Sequence, residues 1–164
     1  MAATFQFAIQ NGAGAGVATD IGNGAGGNYW NYKNADTNDP ADYDDNPITA
    51  GNCSYEVYIR GHFTDVFNLV ENILFWASGL DLTGYGSAAA MTGSVQAVYA
   101  QPTTVDNGDA AIPEAVGAAL DISQAPDLTA PGYSKYARTQ LETDADATPG
   151  DGGTTTFSLR YDES

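Results

Sequence analysis

Basic residues are scarce in this chain. Its 164 residues include five Lys and Arg against 21 Asp and Glu, which gives a formal net charge of −16 at pH 7. Binding to nucleic acids or anionic membranes depends on Lys and Arg displacing counterions from phosphates. We therefore expect neither nucleic acid nor a membrane as a partner. Because closely spaced like charges repel, we also expect this acidic protein to favour high salt or bound cations.

Cysteine and histidine are nearly absent as well. Cys53 is the only cysteine, so no internal disulfide framework can form, and no second Cys or His lies near it in sequence for a zinc or redox site. His62 is the only histidine, and the residues around it contain no recognised motif for acid–base chemistry, although Asp65 follows closely. We interpret both side chains as structural.

Catalytic motifs are missing too. The sequence contains no nucleophile elbow, no phosphate-binding loop and no zinc-protease motif. Carboxylates for a glycosidase are present in excess, but their spacing in space cannot be derived from one sequence. We predict that the chain is not an enzyme and has no catalytic residues, with a small hydrolase as the alternative.

No long apolar run is present. The first nine residues carry no basic side chain, and Thr4 and Gln6 interrupt their apolar positions, which fits neither a signal peptide nor a membrane-spanning helix. We expect synthesis in the cytoplasm without export by the general secretory route.

Strand periodicity is what the sequence does contain. Apolar and polar residues alternate at residues 4–10, 54–60, 95–99, 118–122, 136–142 and 154–161, and residues 66–76 fit a short turn followed by a strand that ends near Trp76. Such short strands, separated by Gly, Pro, Asn and Asp turns and without an amphipathic helix of three turns, predict an all-β fold. We expect one antiparallel β-sandwich domain over residues 1–164, of jelly-roll or Ig-like type.

Two segments are predicted to be long loops. Residues 11–28 form a Gly-rich stretch, with seven glycines between Gly12 and Gly27, which we expect to be flexible in the monomer and ordered only in an assembly. Residues 34–53 form an acidic loop that contains Pro40 and Pro47 and should lie on the surface.

The acidic loop is also the candidate metal site. Its closely spaced oxygen ligands suit calcium or sodium, and the candidate ligands are Asp36, Asp39, Asp42, Asp44 and Asp45. The EF-hand template does not fit, because Pro47 and Cys53 occupy the positions of its invariant Gly and its bidentate acid. A solvated acidic loop is the alternative. A second candidate comprises Asp144, Asp146 and Asp151.

Aromatic residues supply the candidate interface. Tyr29, Trp30 and Tyr32 lie close together in sequence, and Trp76 lies at a predicted strand end. Tyr and Trp are enriched in protein interfaces, although the first three residues also suit stacking on sugars or packing in the core. If residues 73–76 form a strand, Phe75 and Trp76 face opposite sides of the sheet, so that one ring lies outside the core.

Several segments together resemble small β-sandwich virion proteins of tailed viruses. They are Ser54-Tyr55-Glu56, residues 72–76, the Tyr99-x-x-Pro102 step, Pro149-Gly150 and residues 157–163. The resemblance implies a viral structural protein, such as a capsid decoration, fibre-base or tail-associated component, that contacts copies of itself and other virion proteins. It implies residence in the virion and no catalytic residues. This family usually carries more basic residues, so their scarcity here points to a halophilic host. A carbohydrate-binding module and a cation-dependent adhesion module are the alternatives.

Overall fold

The chain folds into short strands joined by turns and loops. The computed structural model describes residues 3–14, 18–22, 30, 33–34, 45–148 and 152–164. The named elements of this part are β1 (Thr4–Gln10), β2 (Thr19–Asp20), β3 (Val57–Thr64), β4 (Val70–Gly79), β5 (Ala90–Gln96), a 3₁₀ turn (Val116–Ala118), β6 (Leu120–Asp121), β7 (Gly132–Tyr133), β8 (Tyr136–Glu142) and β9 (Thr156–Glu163).

The strands form two sheets. Sheet A has the order β2-β1-β3-β8-β5, with β7 also paired to β3, and sheet B has the order β6-β4-β9. The pairs within both sheets are antiparallel. The predicted all-β sandwich is therefore confirmed.

Alternation within the strands places the core between the two sheets. Ile9 and Phe63 of sheet A and Ile73 and Phe75 of sheet B are each at most 1% exposed and belong to one hydrophobic cluster. Burying side chains of this size stabilises a fold by about 1.5 to 3 kcal/mol each. The apolar residues at every second position thus define the inner face of each sheet.

The two ends of the described chain meet at one corner of the sandwich. The Ala3 N–H donates to Glu163 Oε2 at 2.8 Å, and the Tyr161 hydroxyl donates to the Ala3 carbonyl at 2.7 Å. The Phe5 ring packs edge-on against Tyr161, with 5.8 Å between their centroids. β1 of one sheet is thereby tied to β9 of the other.

The predicted boundaries of several strands are wrong. β4 continues to Gly79 rather than ending near Trp76, β6 covers Leu120–Asp121 rather than 118–122, and β9 covers Thr156–Glu163 rather than 154–161. β3 begins at Val57 rather than at residue 54, because the Ser54 N–H donates to Leu141 while the Glu56 N–H donates to Thr103, so this segment changes partner. β5 ends at Gln96, whereas the sequence predicts a strand over 95–99. Tyr99 leaves the sheet instead and packs against Tyr58 at 5.0 Å between centroids.

Two short strands are not predicted by the sequence. β7 contains a glycine and has only two residues. β2 lies within residues 12–27, where no regular element is predicted, and that prediction is wrong at Thr19–Asp20, where Thr19 pairs with Ile9 and Asp20 with Ala8. Parts of this Gly-rich segment lie outside the described residues, and so do Asp36 to Asp44 of the acidic loop.

Candidate interaction surface

A β-bulge in β4 decides which side chains face away from the core. The pairing of β4 with β9 shifts between Glu71 and Leu74, and Asn72 there has a φ of 51°. Because the bulge interrupts the period of two, Val70 and Ile73 can both point inward, and both are 0% exposed. From Ile73 to Ala77 the alternation is regular, so Leu74 and Trp76 point outward.

The outward side chains of sheet B form what we call the β4 face, which comprises Leu74, Trp76, Asp121, Ser158 and Arg160. Leu74 and Trp76 are partly buried, whereas Asp121 and Arg160 are exposed. On the other side of the same strands, Phe75 stacks on Phe157 at 5.2 Å between centroids. The β4 face therefore lies opposite the core.

Register places the members of the β4 face in rows across the three strands. Leu74 of β4 is paired with Asp121 of β6 on one side and with Arg160 of β9 on the other. Trp76 is paired with Ser158 in a neighbouring row. Neighbouring strands are about 4.8 Å apart, so an acid and a base flank an apolar centre at about the same distance.

Two of these polar groups have no partner in the described part of the chain. Neither the indole N–H of Trp76 nor the guanidinium of Arg160 forms a hydrogen bond or ion pair with a described residue. Asp121 is engaged, since its Oδ1 accepts from the Ser123 N–H at 3.0 Å. Hydrogen bonding to Ser123, with a smaller contribution from the charge of Lys135, lowers the pKa of Asp121. Asp121 is thus held as an anion, two strands away from an arginine that has no ion pair with a described residue.

The outer face of sheet A is covered by the chain itself. The Gln140 side chain donates to the carbonyls of Ser54 at 3.0 Å and Val105 at 3.2 Å, and it is 0% exposed. The Thr103 N–H donates to Glu56 Oε2 at 3.0 Å. These contacts fasten the loop after β5 over the outer side of β8. The outer side of β8 is therefore closed to a partner by this loop.

An ion-pair network fixes this loop. Arg138 on β8 lies 3.2 Å from Glu56 and 2.7 Å from Asp109, and Asp109 also accepts from the Ser94 hydroxyl at 2.7 Å. Glu56 is only 4% exposed. Burial lowers the pKa of Arg138, but the hydrogen bond to Asp109 and the charges of Asp109 and Glu56 outweigh this effect and raise the pKa overall. In this network the charged groups are largely buried, and each has a partner of opposite charge.

His62 has a partner that the sequence does not indicate. Its Nδ1 lies 2.9 Å from both carboxylate oxygens of Asp20, and its ring stacks on Tyr133 at 4.2 Å between centroids. The Arg60 guanidinium lies 3.8 Å from the centre of the same Tyr133 ring. No hydroxyl or thiol of a described residue bonds to His62 Nε2. The cluster therefore ties β2, β3 and β7 together.

The predicted metal ligands lie mostly outside the described residues. Of the five carboxylates in the acidic loop, only Asp45 is described, and its side chain is exposed. The second candidate is divided in the same way, since Asp151 lies outside the described residues. Asp144 Oδ2 accepts from the Ala88 N–H at 3.1 Å, and Asp146 Oδ1 accepts from the Ser87 N–H at 2.8 Å. These two carboxylates hold a backbone turn.

Among the described residues, no group of three or more His, Cys, Asp or Glu side chains is arranged to hold a metal ion. In the same residues, no helix is long and apolar enough to cross a membrane.

The four aromatic residues predicted to form an interface fall into three groups according to where they lie. Trp30 lies between the sheets, where its indole N–H donates to Thr139 Oγ1 at 3.1 Å and its ring packs on Phe157 at 5.3 Å between centroids. Trp76 belongs to the outward β4 face. Tyr29 and Tyr32 lie outside the described residues. Of the two that the structure describes, Trp76 is the one that lies where a partner can reach it.

Comparisons of the chain with models of protein families, with curated proteins and with solved structures find no match.

Proposed function

We propose that this chain is a structural component of a virus particle, synthesised in the host cytoplasm, which acts through contacts with copies of itself and with other virion proteins. The observation that carries the proposal is the position of Trp76, whose ring lies outside the core and whose N–H has no partner among the described residues. Trp and Arg are the side chains most enriched at the energetic centres of protein interfaces. The β4 face presents both types, Trp76 and Arg160, together with the aliphatic side chain of Leu74.

The rest of the molecule supports a role without catalysis. The His62–Asp20 pair is occupied by stacking and by strand contacts, and the charged network around Arg138 is engaged in holding a loop. Because the sequence resembles small β-sandwich virion proteins, we propose a viral capsid or tail as the assembly in which the chain acts. A halophilic host agrees with the excess of acids.

The direct test is to purify virus particles from a culture that expresses the chain and to identify their proteins by electron microscopy and peptide mass spectrometry. We expect the chain to sediment with the particles. If it occurs only in the soluble extract, the proposal is wrong.

A variant test links this role to the β4 face. Trp76→Ala should reduce incorporation into particles, because it removes the largest apolar side chain of the face without emptying the core. Val98→Ala is the matched control, since Val98 is 73% exposed and lies after β5, on the side of sheet A. Equal incorporation of both variants would contradict the role of the β4 face.

Glycan binding distinguishes the alternative of a carbohydrate-binding or adhesion module. If the purified protein bound a glycan on an array and Trp76→Ala abolished this binding, the β4 face would be a sugar-binding platform. We expect no such binding. Trp30→Ala is unsuitable for this test, because Trp30 packs between the sheets and its loss would disturb the fold.

A further inference from the structure

The order of charges across the β4 face is self-complementary. Asp121, Leu74 and Arg160 follow one another across β6, β4 and β9 in a single row. The acid and the base are exposed and lie on opposite sides of the leucine. Such a row matches its own copy when the copy is turned so that acid and base exchange places.

We propose that the β4 face binds a second copy of this chain about a two-fold axis that passes over Leu74 and runs parallel to β4. This inference rests on the proposed function, since it names the partner of the same face. A two-fold contact is isologous, so each residue pairing occurs twice. Arg160 of each copy then faces Asp121 of the other, and the two Leu74 side chains meet at the axis.

The direction of the axis follows from the charges. Two faces can be related by an axis in the plane between them that is either parallel or perpendicular to the strands. The perpendicular axis through Leu74 would place Arg160 against Arg160 and Asp121 against Asp121, which is repulsive. The parallel axis gives two attractive pairs, and it keeps the strands of the two sheets aligned, as in ordinary sheet-on-sheet packing at about 10 Å.

The charge of the whole chain restricts which surface can pair with itself. Two copies that each carry a net charge of −16 repel one another over most of their surface. On the β4 face, Arg160 has no ion pair with a described residue and can accept the carboxylate of a partner. Close ion pairs of this kind select the register of an interface and suppress wrong arrangements.

The size of the β4 face predicts a weak dimer. The ten residues of β4, the eight of β9 and the two of β6 rise about 3.3 Å each in strands about 4.8 Å apart, so that together they cover roughly 300 Å², which is below the roughly 800 Å² per partner of a standard stable interface. The free protein should therefore dimerise reversibly and with a clear dependence on concentration. In a particle, many weak contacts act together.

Charge reversal tests the pairing. Sedimentation velocity is measured over a concentration series in about 1 M sodium chloride, where the Debye length of about 3 Å screens the general repulsion. The wild-type chain should dimerise, whereas Arg160→Asp and Asp121→Arg should each weaken self-association by at least about tenfold, because each brings like charges together. An equimolar mixture of these two variants should form a heterodimer, since every reversed side chain then meets a side chain of opposite sign. The double variant should dimerise with itself.

Asp106→Arg is the matched control. Asp106 is exposed, and its Oδ1 accepts from the Gly108 N–H at 2.7 Å, as Asp121 Oδ1 accepts from Ser123, but it lies on the loop that covers sheet A. Both substitutions make the chain less negative, which by itself favours association. We expect Asp106→Arg to dimerise at least as well as the wild type, so that weakening by Asp121→Arg is attributable to its position.

The outcomes separate the two proposals. If the wild-type chain stays monomeric up to about millimolar concentration, or if the mixture of folded single variants fails to associate, pairing through Asp121 and Arg160 is wrong even when the chain is present in particles. If the mixture pairs but the chain never occurs in particles, the viral role is wrong and the dimer stands. If Asp121→Arg does not fold by circular dichroism, Asp121→Asn retains the acceptor for Ser123, and unchanged dimerisation of Asp121→Asn would overturn the pairing.

Discussion

At the scale of single residues, Arg138 shows how an acidic chain uses one of its few cations. Its guanidinium contacts a glutamate on the strand side and an aspartate on the loop side. Glu56 is 4% exposed, so it depends on Arg138 for its counter-charge. An ionised carboxylate that loses its counter-ion in the interior costs far more than an exposed pair gains.

We expect Arg138→Ala to lower the free energy of unfolding by about 3 kcal/mol, because it leaves the Glu56 carboxylate buried without a cation. Arg160→Ala is the control, since Arg160 is exposed and forms no ion pair with a described residue; its effect should stay within about 0.5 kcal/mol. Urea unfolding of the two variants provides the comparison. If both substitutions lowered the free energy of unfolding by similar amounts, the buried ion pair of Arg138 would contribute no more to stability than the exposed Arg160 does.

Cys53 lies in an environment that disfavours its thiolate. Burial raises the pKa of the Cys53 thiol first, and the charges of Glu142 and Asp106 raise it further. Cys53 is bridged to Glu142 in the sheet pairing. Since only the thiolate is nucleophilic, alkylation should be slow at neutral pH.

We therefore predict that the rate of Cys53 alkylation by iodoacetamide rises with pH later than for an unstructured cysteine peptide. Glu142→Gln removes a negative neighbour, so it should lower the thiol pKa and move the rise in rate to lower pH. The pH profile of the rate in the two proteins is the measurement. An identical profile for Glu142→Gln and the wild type would mean that the charge of Glu142 does not contribute to the raised pKa of Cys53.

At the scale of elements, β4 divides its aromatic residues between the two faces. The prediction that Phe75 and Trp76 point to opposite sides is confirmed, since Phe75 is 0% exposed in the core and Trp76 lies on the β4 face. The bulge at Asn72 precedes both residues and fixes which of them points inward.

Phe75→Ala should destabilise the fold by about 3 to 5 kcal/mol, because it empties an aromatic site in the core. Trp76→Ala should leave the monomer folded and weaken assembly. Thermal unfolding and sedimentation of the two variants measure these effects separately. A loss of stability from Trp76→Ala as large as that from Phe75→Ala would mean that Trp76 is as important to packing as a core residue.

Strands with a clear alternation were predictable from the sequence, and contacts between distant segments were not. β1 and β8 have the predicted bounds, because their inward residues are apolar at every second position. β5 was misplaced because Val95 and Tyr99 alternate like strand residues, although Tyr99 packs on the outer side of sheet A against Tyr58. β7 has two residues, which is too short for any period.

The candidate site was predictable in part for the same reason. Strand alternation alone could assign Phe75 and Trp76 to opposite faces, but it could not decide which of them points outward, since the bulge at Asn72 decides this. Arg160 and Asp121 could not be placed beside Leu74, since this requires the register of strands that are far apart in the chain. The partnership of His62 with Asp20 spans 42 residues and depends on β2, which the glycine-rich composition conceals.

At the scale of the whole molecule, the dominant quantity is net charge. With 21 acids and five basic side chains, and with Arg138 and Arg60 already engaged in the fold, most carboxylates lack a cation of their own. Repulsion between these carboxylates destabilises the folded state more than the unfolded state, because the charges lie farther apart in the unfolded chain.

We expect the melting temperature to rise by several degrees between about 0.1 M and about 2 M sodium chloride, because screening shortens the reach of this repulsion. Differential scanning calorimetry at pH 7 measures it. Sodium sulfate is a poor choice of salt, since it also strengthens apolar burial. A melting temperature that does not change with sodium chloride would show that the acids are already compensated in the folded state.

The meeting of Ala3 with Glu163 and Tyr161 has a consequence for the speed of folding. This contact joins residues separated by 160 positions, so the corner where β1 meets β9 can close only after almost the whole chain between them has been gathered, and closure over long loops slows folding. A circular permutant that links residues 3 and 163 through a short Gly/Ser segment and opens between the exposed residues Ala97 and Val98 makes this corner a local contact. Such a permutant should refold faster than the natural order in stopped-flow fluorescence, and the order of the chain, rather than its native contacts, would then limit the rate at which the sandwich forms.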